Sequence, residues 1–366
     1  MTDSRWPDWL PLRKSLAPLS AYGAPQVDAE ATLNTNENPF PLSQELVKAI
    51  AARLSEVCAN LNRYPDRDAL ALRSKLANYI NDQSGTSFSA PEVWVANGSN
   101  EIIQSLFLAF GDQGAIGFTP SYSMHPLIAR VTSTQWIDGQ RRSDYSLDID
   151  DAIKQIVKAA PALTFITTPN NPTGEAISIT DIEKIAQSVP GLLVVDEAYA
   201  EFSDEQSAVT LISQYPQIIV IRTMSKAFSF AGARVGYLLA HPSVVEAMML
   251  VRLPYHLSTL TQGAALVALD FKSELLSGVA ELRSERDRVA ASLREMGLTV
   301  LPSQANFLLF TGFQSSSPQL WQAMLDHGIL IRDVGLSGYL RTTIGTGAEN
   351  EKFLHALREC LAKEKS

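Results

Sequence analysis

Residues 219–240 read IVIRTMSKAFSFAGARVGYLLA, and the fold turns on this stretch. The apolar run 218–221 ends in the polar turn Arg222-Thr223-Met224-Ser225-Lys226. A small-residue segment follows, and after Arg234 a second apolar run begins. A strand ending in two hydroxyls and a lysine, with an arginine eight positions on, is a distinctive set of groups. A lysine amine condenses with aldehydes. Hydroxyls hydrogen-bond a phosphate, and a guanidinium neutralises it with a fork of donors. Lys226, Thr223, Ser225 and Arg234 thus suit pyridoxal phosphate, which carries both an aldehyde and a phosphate. Taken alone, these residues also fit a surface lysine after an edge strand, so the rest of the chain decides.

At 366 residues, two domains are expected. The 46% hydrophobic and 19% charged content is that of an ordinary globular protein. A net charge of −9 argues against nucleic acid or a membrane surface as partner. Cys58 and Cys360 are too few for a disulfide framework and form no CxxC pair, so no metal site is expected. The opening MTDSRWPDWLPLRK lacks the apolar core of a signal peptide, and no run is long enough for a membrane span. A cytoplasmic enzyme is the expectation.

Other strands also end in polar clusters. Residues 93–96 run into Asn97-Gly98-Ser99-Asn100-Glu101 and then an apolar helix over 102–110. Ser99 or Asn100 is the expected cap, and such a helix start aims free N–H groups at an anion. The strand 115–118 leads to Pro120-Ser121-Tyr122, where the aromatic either stacks on a flat ring or covers the core. The strand 163–167 leads to Thr168-Pro169-Asn170-Asn171-Pro172, whose prolines fix the asparagines in an irregular turn. Four aliphatics, 192–195, run straight into Asp196-Glu197-Ala198-Tyr199. A carboxylate there needs a cationic partner, and a protonated pyridine nitrogen would be one.

Helices are expected over 43–54, 68–80 and 244–250, after a capping box at Thr180 to Glu183, and after Ser317-Pro318 as cap and first-turn proline. Residues 258–296 are helical, with a break expected near Ser277-Gly278. Strands at 305–310, 330–332 and 339–344 and a helix from 349 to about 363 complete the chain. The pattern predicts an N-terminal arm over 1–32 and a large α/β domain over 33–260, its mainly parallel sheet lying between helices. A smaller α+β C-terminal domain follows over 261–366.

The segments NTNENPF, RYPD, NGSNE, PSYSMH, TPNNPTG, VVDEAYAEF, RTMSKAFSFAGARVGY and RTTIGTGAEN span nearly the whole chain. Together they resemble the fold-type I pyridoxal phosphate aminotransferases, most of all the histidinol-phosphate aminotransferases of actinobacterial type. The resemblance implies that Lys226 binds the cofactor covalently and carries the substrate proton. Asp196 would pair with the pyridine N–H, Asn171 and Tyr199 with the ring's phenolic oxygen, and Tyr122 would stack on the ring. Ser99, Asn100, Thr223, Ser225 and Arg234 would hold the phosphate. Tyr64 would reach the phosphate in the neighbouring subunit of a homodimer with composite active sites. Arg341 would clamp the α-carboxylate of glutamate with Arg332 nearby, and Tyr22, Asn36 and Tyr255 would be substrate contacts. His256 is expected to be structural. The implied reaction converts L-histidinol phosphate and 2-oxoglutarate to imidazole acetol phosphate and L-glutamate. An aromatic amino acid aminotransferase and a threonine-phosphate decarboxylase share the same cofactor motifs. A regulator built on a dead aminotransferase domain is disfavoured, because no cofactor residue is missing.

Overall fold

In the computed structural model the described residues are 6–7, 9–21 and 23–364. From the N-terminus they form β1 (Ala31–Thr32), α1 (Gln44–Cys58), α2 (Leu70–Ser84), β2 (Val93–Ala96), α3 (Ser99–Phe110) and β3 (Ala115–Thr119). Next come α4 (Met124–Thr132), β4 (Trp136–Gln140), α5 (Ile149–Ala159), β5 (Leu163–Thr167), α6 (Ile179–Ala186), β6 (Leu192–Asp196), β7 (Ile218–Thr223) and β8 (Gly236–Leu239). The chain then runs through α7 (Pro242–Val251), α8 (Thr259–Asp270), α9 (Lys272–Glu295), β9 (Thr299–Val300) and β10 (Phe307–Thr311). It closes with α10 (Ser317–Asp326), β11 (Ile329–Leu330), β12 (Tyr339–Thr343) and α11 (Gly347–Glu364).

Among the described residues, seven strands form one sheet in the order β2-β8-β7-β6-β5-β3-β4. Its β3–β7 pairings are parallel, while β8 runs antiparallel to both neighbours. Strands β5, β6 and β7 are covered on both faces, so they carry aliphatic runs rather than alternation. Successive side chains still go to opposite layers. Phe165, Val194 and Ile219 pack with Ile103, Phe107 and Trp94, whereas Ile166, Val195 and Val220 pack with Leu72, Leu76 and Ile182. A second, antiparallel sheet, β12-β10-β9, lies in the C-terminal part. There β11 pairs in parallel with β1, which joins the N-terminal arm to the far end of the chain.

Several helix ends differ from expectation, each for a local reason. Helix α1 is capped by Ser43, whose side chain accepts from the Leu46 N–H. Helix α2 starts at Leu70 rather than 68, because the Asp66 carboxylate accepts from the N–H groups of Asp68 and Leu70. The cap position of α3 is Gly98, at φ 83°, so Ser99 and Asn100 are its first helical residues and not its cap. Ser178 caps α6 by accepting from the Asp181 N–H, in place of the expected box at Thr180. Ser316, paired with Gln319, caps α10 one residue ahead of Ser317. The long helical stretch breaks at Phe271, and Gly278 lies inside an unbroken α9. A Cβ at Gly278 would stand 2.8 Å from the Phe40 ring, so this glycine admits a side chain and does not end a helix. No helix of the described residues is long and apolar enough to cross a membrane.

Candidate active site

The C-terminal ends of β3, β5, β6 and β7 open on a cavity of about 470 Å³, where open α/β sheets place ligands. Its lining brings together Ser99, Asn100, Tyr122, Asn171, Asp196, Tyr199, Thr223, Ser225, Lys226 and Arg234, with Asn36, Arg332 and Arg341.

One end is a cradle of donors. Glycines let its parts approach: a Cβ at Gly98 would stand 2.5 Å from Arg234 Nη2, and one at Gly236 would stand 2.5 Å from the Ser99 nitrogen. Arg234 itself adopts a left-handed backbone conformation, φ 56°, which turns the chain back toward the start of α3. Its Nη1 lies 3.5 Å from Ser225 Oγ, to which the Thr223 hydroxyl donates at 3.0 Å. The Tyr122 hydroxyl donates to Asn100 Oδ1 at 3.1 Å, fixing the ring beside the helix start. A helix N-terminus, two hydroxyls and a guanidinium at one spot suit a phosphate.

The other end is set by Asp196. Its Oδ2 lies 3.2 Å from His125 Nε2, and its Oδ1 accepts from the Ala198 N–H at 3.2 Å. His125 is buried, with its ring 4.8 Å from that of Phe165 and 5.4 Å from that of Tyr122. It was not singled out from the sequence, where its only signal is a place in PSYSMH.

A chain of hydrogen bonds runs along another part of the lining. Asn36 Nδ2 and Asn171 Nδ2 both donate to the Tyr199 hydroxyl oxygen, at 2.9 and 3.4 Å. Arg341 Nη1 donates to Asn171 Oδ1 at 2.5 Å and Nη2 to the Asn34 carbonyl at 2.8 Å, with the guanidinium 5.1 Å over the Phe307 ring. The Lys226 amine donates to the Thr35 carbonyl at 2.9 Å and sits 5.9 Å from the centre of the Tyr199 ring. Burial lowers its pKa to about 8, helped by the charges of Arg341 and Arg234 and opposed by Glu37. Desolvation disfavours the ammonium, so the amine is largely neutral in mildly alkaline solution. Neutral amines are nucleophiles.

The remaining expected contacts divide. Arg332 lines the cavity and its backbone pairs with that of Arg341, which sets the two arginines side by side. Asn36 also lines it, but its amide is engaged within the protein, accepting from Thr343 Oγ1 and donating to Tyr199. Tyr64 and Tyr255 are not in the lining of this chain's cavity; they stack on each other, centroids 4.4 Å apart, and are 79% and 41% exposed. Tyr22 lies outside the described residues. His256 bonds the Val95 carbonyl through Nε2 and stacks on Trp94.

These groups fit pyridoxal phosphate: a donor cradle, a buried carboxylate and a low-pKa amine line one cavity. A family model for aminotransferase class I and II matches residues 30–357. The histidinol-phosphate aminotransferase of Nocardia farcinica is 54% identical over 98% of this chain and 93% of its own. Among solved structures, a putative histidinol-phosphate aminotransferase from Erwinia carotovora atroseptica has a TM-score of 0.82 at 25% identity, covering 94% of this chain and 99% of its own. The Sinorhizobium meliloti histidinol-phosphate aminotransferase in complex with pyridoxal 5'-phosphate shares the fold over 92% of each chain, with a TM-score of 0.81 at 24% identity. The chain therefore belongs to the class I and II aminotransferases and, within them, to the histidinol-phosphate aminotransferases.

Proposed function

We propose that this chain transfers an amino group between L-histidinol phosphate and 2-oxoglutarate, a step of histidine biosynthesis, with pyridoxal phosphate held in the cavity. The observation that carries the proposal is the meeting of a low-pKa lysine, a donor cradle and the Asp196–His125 pair in one cavity. When bound, the cofactor supplies an aldehyde that takes up amino groups and a ring that accepts electrons. Thr223, Ser225, Arg234 and the start of α3 hold its phosphate, and Tyr122 covers the ring. Asp196, oriented by His125, keeps the ring nitrogen positively charged. Asn171 and Tyr199 offer hydrogen bonds to the ring oxygen. The Lys226 amine binds the cofactor covalently at rest. When free, the same amine would take the proton from the substrate Cα, as a positioned base of suitable pKa.

Substrate recognition falls to Arg341 and Arg332. Glutamate presents an α-carboxylate and a distal carboxylate, whereas histidinol phosphate presents a phosphate monoester. A pair of neighbouring guanidiniums serves these anions in turn. An aromatic amino acid aminotransferase has no use for a distal phosphate site. With 2-oxoglutarate as acceptor, kcat/KM for histidinol phosphate is expected to exceed that for phenylalanine or tyrosine by roughly 10- to 150-fold, the equivalent of one charge-assisted contact. A match or reversal would replace this proposal with the aromatic aminotransferase. Carbon dioxide release from threonine phosphate would replace it with the decarboxylase.

The same proposal includes a cytoplasmic homodimer with composite active sites, built from a large domain over 33–260 and a small one over 261–366. Leu61, Tyr64, Leu250, Leu253 and Tyr255 are all exposed, and the Arg252–Asp68 ion pair ties together the segment after α1 and the end of α7 with the turn that follows it. Such a set of apolar side chains is what a partner subunit would cover. Tyr64 would then reach the partner's phosphate cradle. Mixing wild type with a Tyr64→Phe/Lys226→Ala double variant tests this. Heterodimers hold one site with native Lys226 but an altered cross-subunit tyrosine, and should release cofactor faster than wild type. Equal retention would remove Tyr64 from the site.

A further inference from the structure

We infer that Arg222, gripping Glu197 and Glu201, is a positioning residue that sets the spacing of the strand ends bearing Asp196 and Lys226. The inference rests on the proposed function, since it concerns residues assigned to the cofactor there. Arg222 directly precedes Thr223 on β7, and Glu197 directly follows Asp196 at the end of β6. Alternation along a strand sends Arg222 away from the face that Thr223 serves. Neither Arg222 nor Glu197 lines the cavity. Arg222 Nε donates to Glu197 Oε2 at 2.8 Å and Nη1 to Glu201 Oε1 at 3.0 Å, all three side chains being at most 7% exposed. Glu197 also accepts from the Ser207 hydroxyl and the Ala208 N–H, both at 2.7 Å. Glu201 accepts from the Tyr79 hydroxyl at 3.3 Å, and Tyr237 stands across from Arg222 on β8.

The place of this cluster matters more than its strength. The register between β6 and β7 ends at Asp196 and Ile221, with one last bond from the Glu197 N–H to the Ile221 carbonyl. Beyond that point β7 pairs only with β8, and the cavity opens. The Arg222 fork is therefore the side-chain tie that still crosses from β7 to β6 once the backbone ladder has stopped. Tyr79 extends it, meeting Phe228 edge-on at 5.3 Å, two residues past Lys226. A buried ion cluster is a poor source of net stability compared with apolar packing, so its use here points to geometry.

Arg222→Lys keeps the charge but loses the planar fork that holds two carboxylates at once. In the pyridoxal phosphate-loaded protein, this variant should shift the pH midpoint of the bound cofactor's absorbance. It should also lower kcat about 100-fold, the scale of a 1 Å misplacement, while KM for 2-oxoglutarate changes by less than about twofold, since ground-state binding is untouched. An unmoved midpoint and kcat, with only a lower melting temperature, would make Arg222 merely structural and overturn the inference. If Arg222→Lys does not fold, Glu197→Gln decides on the same two readouts, because it keeps Arg222 and weakens the crossing tie along with the Glu197 bonds to Ser207 and Ala208. Wild type is the control. If wild type neither takes up the cofactor nor transfers an amino group from histidinol phosphate, the proposed function falls and the inference with it. If the wild-type band is present and neither variant moves it, only the inference falls.

Discussion

Lys226→Ala should lose essentially all turnover and all covalent capture of pyridoxal phosphate. The substitution removes the amine that lies 2.9 Å from the Thr35 carbonyl in the lining of the cavity. Loss of a positioned acid–base group alone costs about 10²–10⁴ in rate, and the tether goes with it. Borohydride reduction of the wild-type holoenzyme, followed by peptide mapping, should label Lys226; label on another lysine would overturn the assignment. The pH dependence carries a sign. The amine captures an aldehyde only when neutral, and burial lowers its pKa to about 8. Capture by cofactor-free protein should therefore rise through about pH 8 and level off above it. An exposed lysine would still be gaining at about pH 10. A capture rate that keeps climbing to that pH would place the reactive amine in solvent.

Asp196→Asn should leave the fold intact and cripple the chemistry. A carboxylate beside a protonated ring nitrogen holds its pKa up by about 1–3 units, so the amide should cut the protonated fraction about 10- to 1000-fold once the ring titrates below the working pH. His125 loses its anionic partner in the same step. Turnover should fall on that scale at full cofactor occupancy, with occupancy read from absorbance and fold from circular dichroism. Full activity in the amide variant would remove Asp196 from the electron-sink role.

What was legible in the sequence follows from how local each signal is. The strands 163–167, 192–195 and 218–221 stand out because a sheet covered on both faces demands consecutive aliphatics. The polar residues that follow them stand out by contrast, which is why Lys226, Asp196 and Asn171 could be named and found in one cavity. Strand β4 gave no such run, for it lies at the sheet edge with a partly exposed Trp-Ile-Asp-Gly-Gln sequence. Gly278 misled because a glycine inside a helix looks like a break until Phe40, far off in sequence, is seen beside it. His125 was missed because its meaning lies in Asp196, and only the packing of α4 on the sheet brings the two together. The side-by-side placement of Arg332 and Arg341 likewise depends on a bridge that no local pattern announces.

The pairing of the chain's two ends also fixes when the protein becomes whole. The Asn36 N–H donates to Thr343 Oγ1 and Arg341 bonds the Asn34 carbonyl, each across 307 positions. At about 5–20 residues per second of synthesis, one side of the pocket waits roughly 15 to 60 s for the other to leave the ribosome. The strand pairings of the seven-stranded sheet are complete at β8, so the sheet can begin to assemble during that wait. Completion of the site is thus a late event of biogenesis, and a chain that stops short of Thr343 can own a finished sheet and still have nothing to clasp residues 34–36.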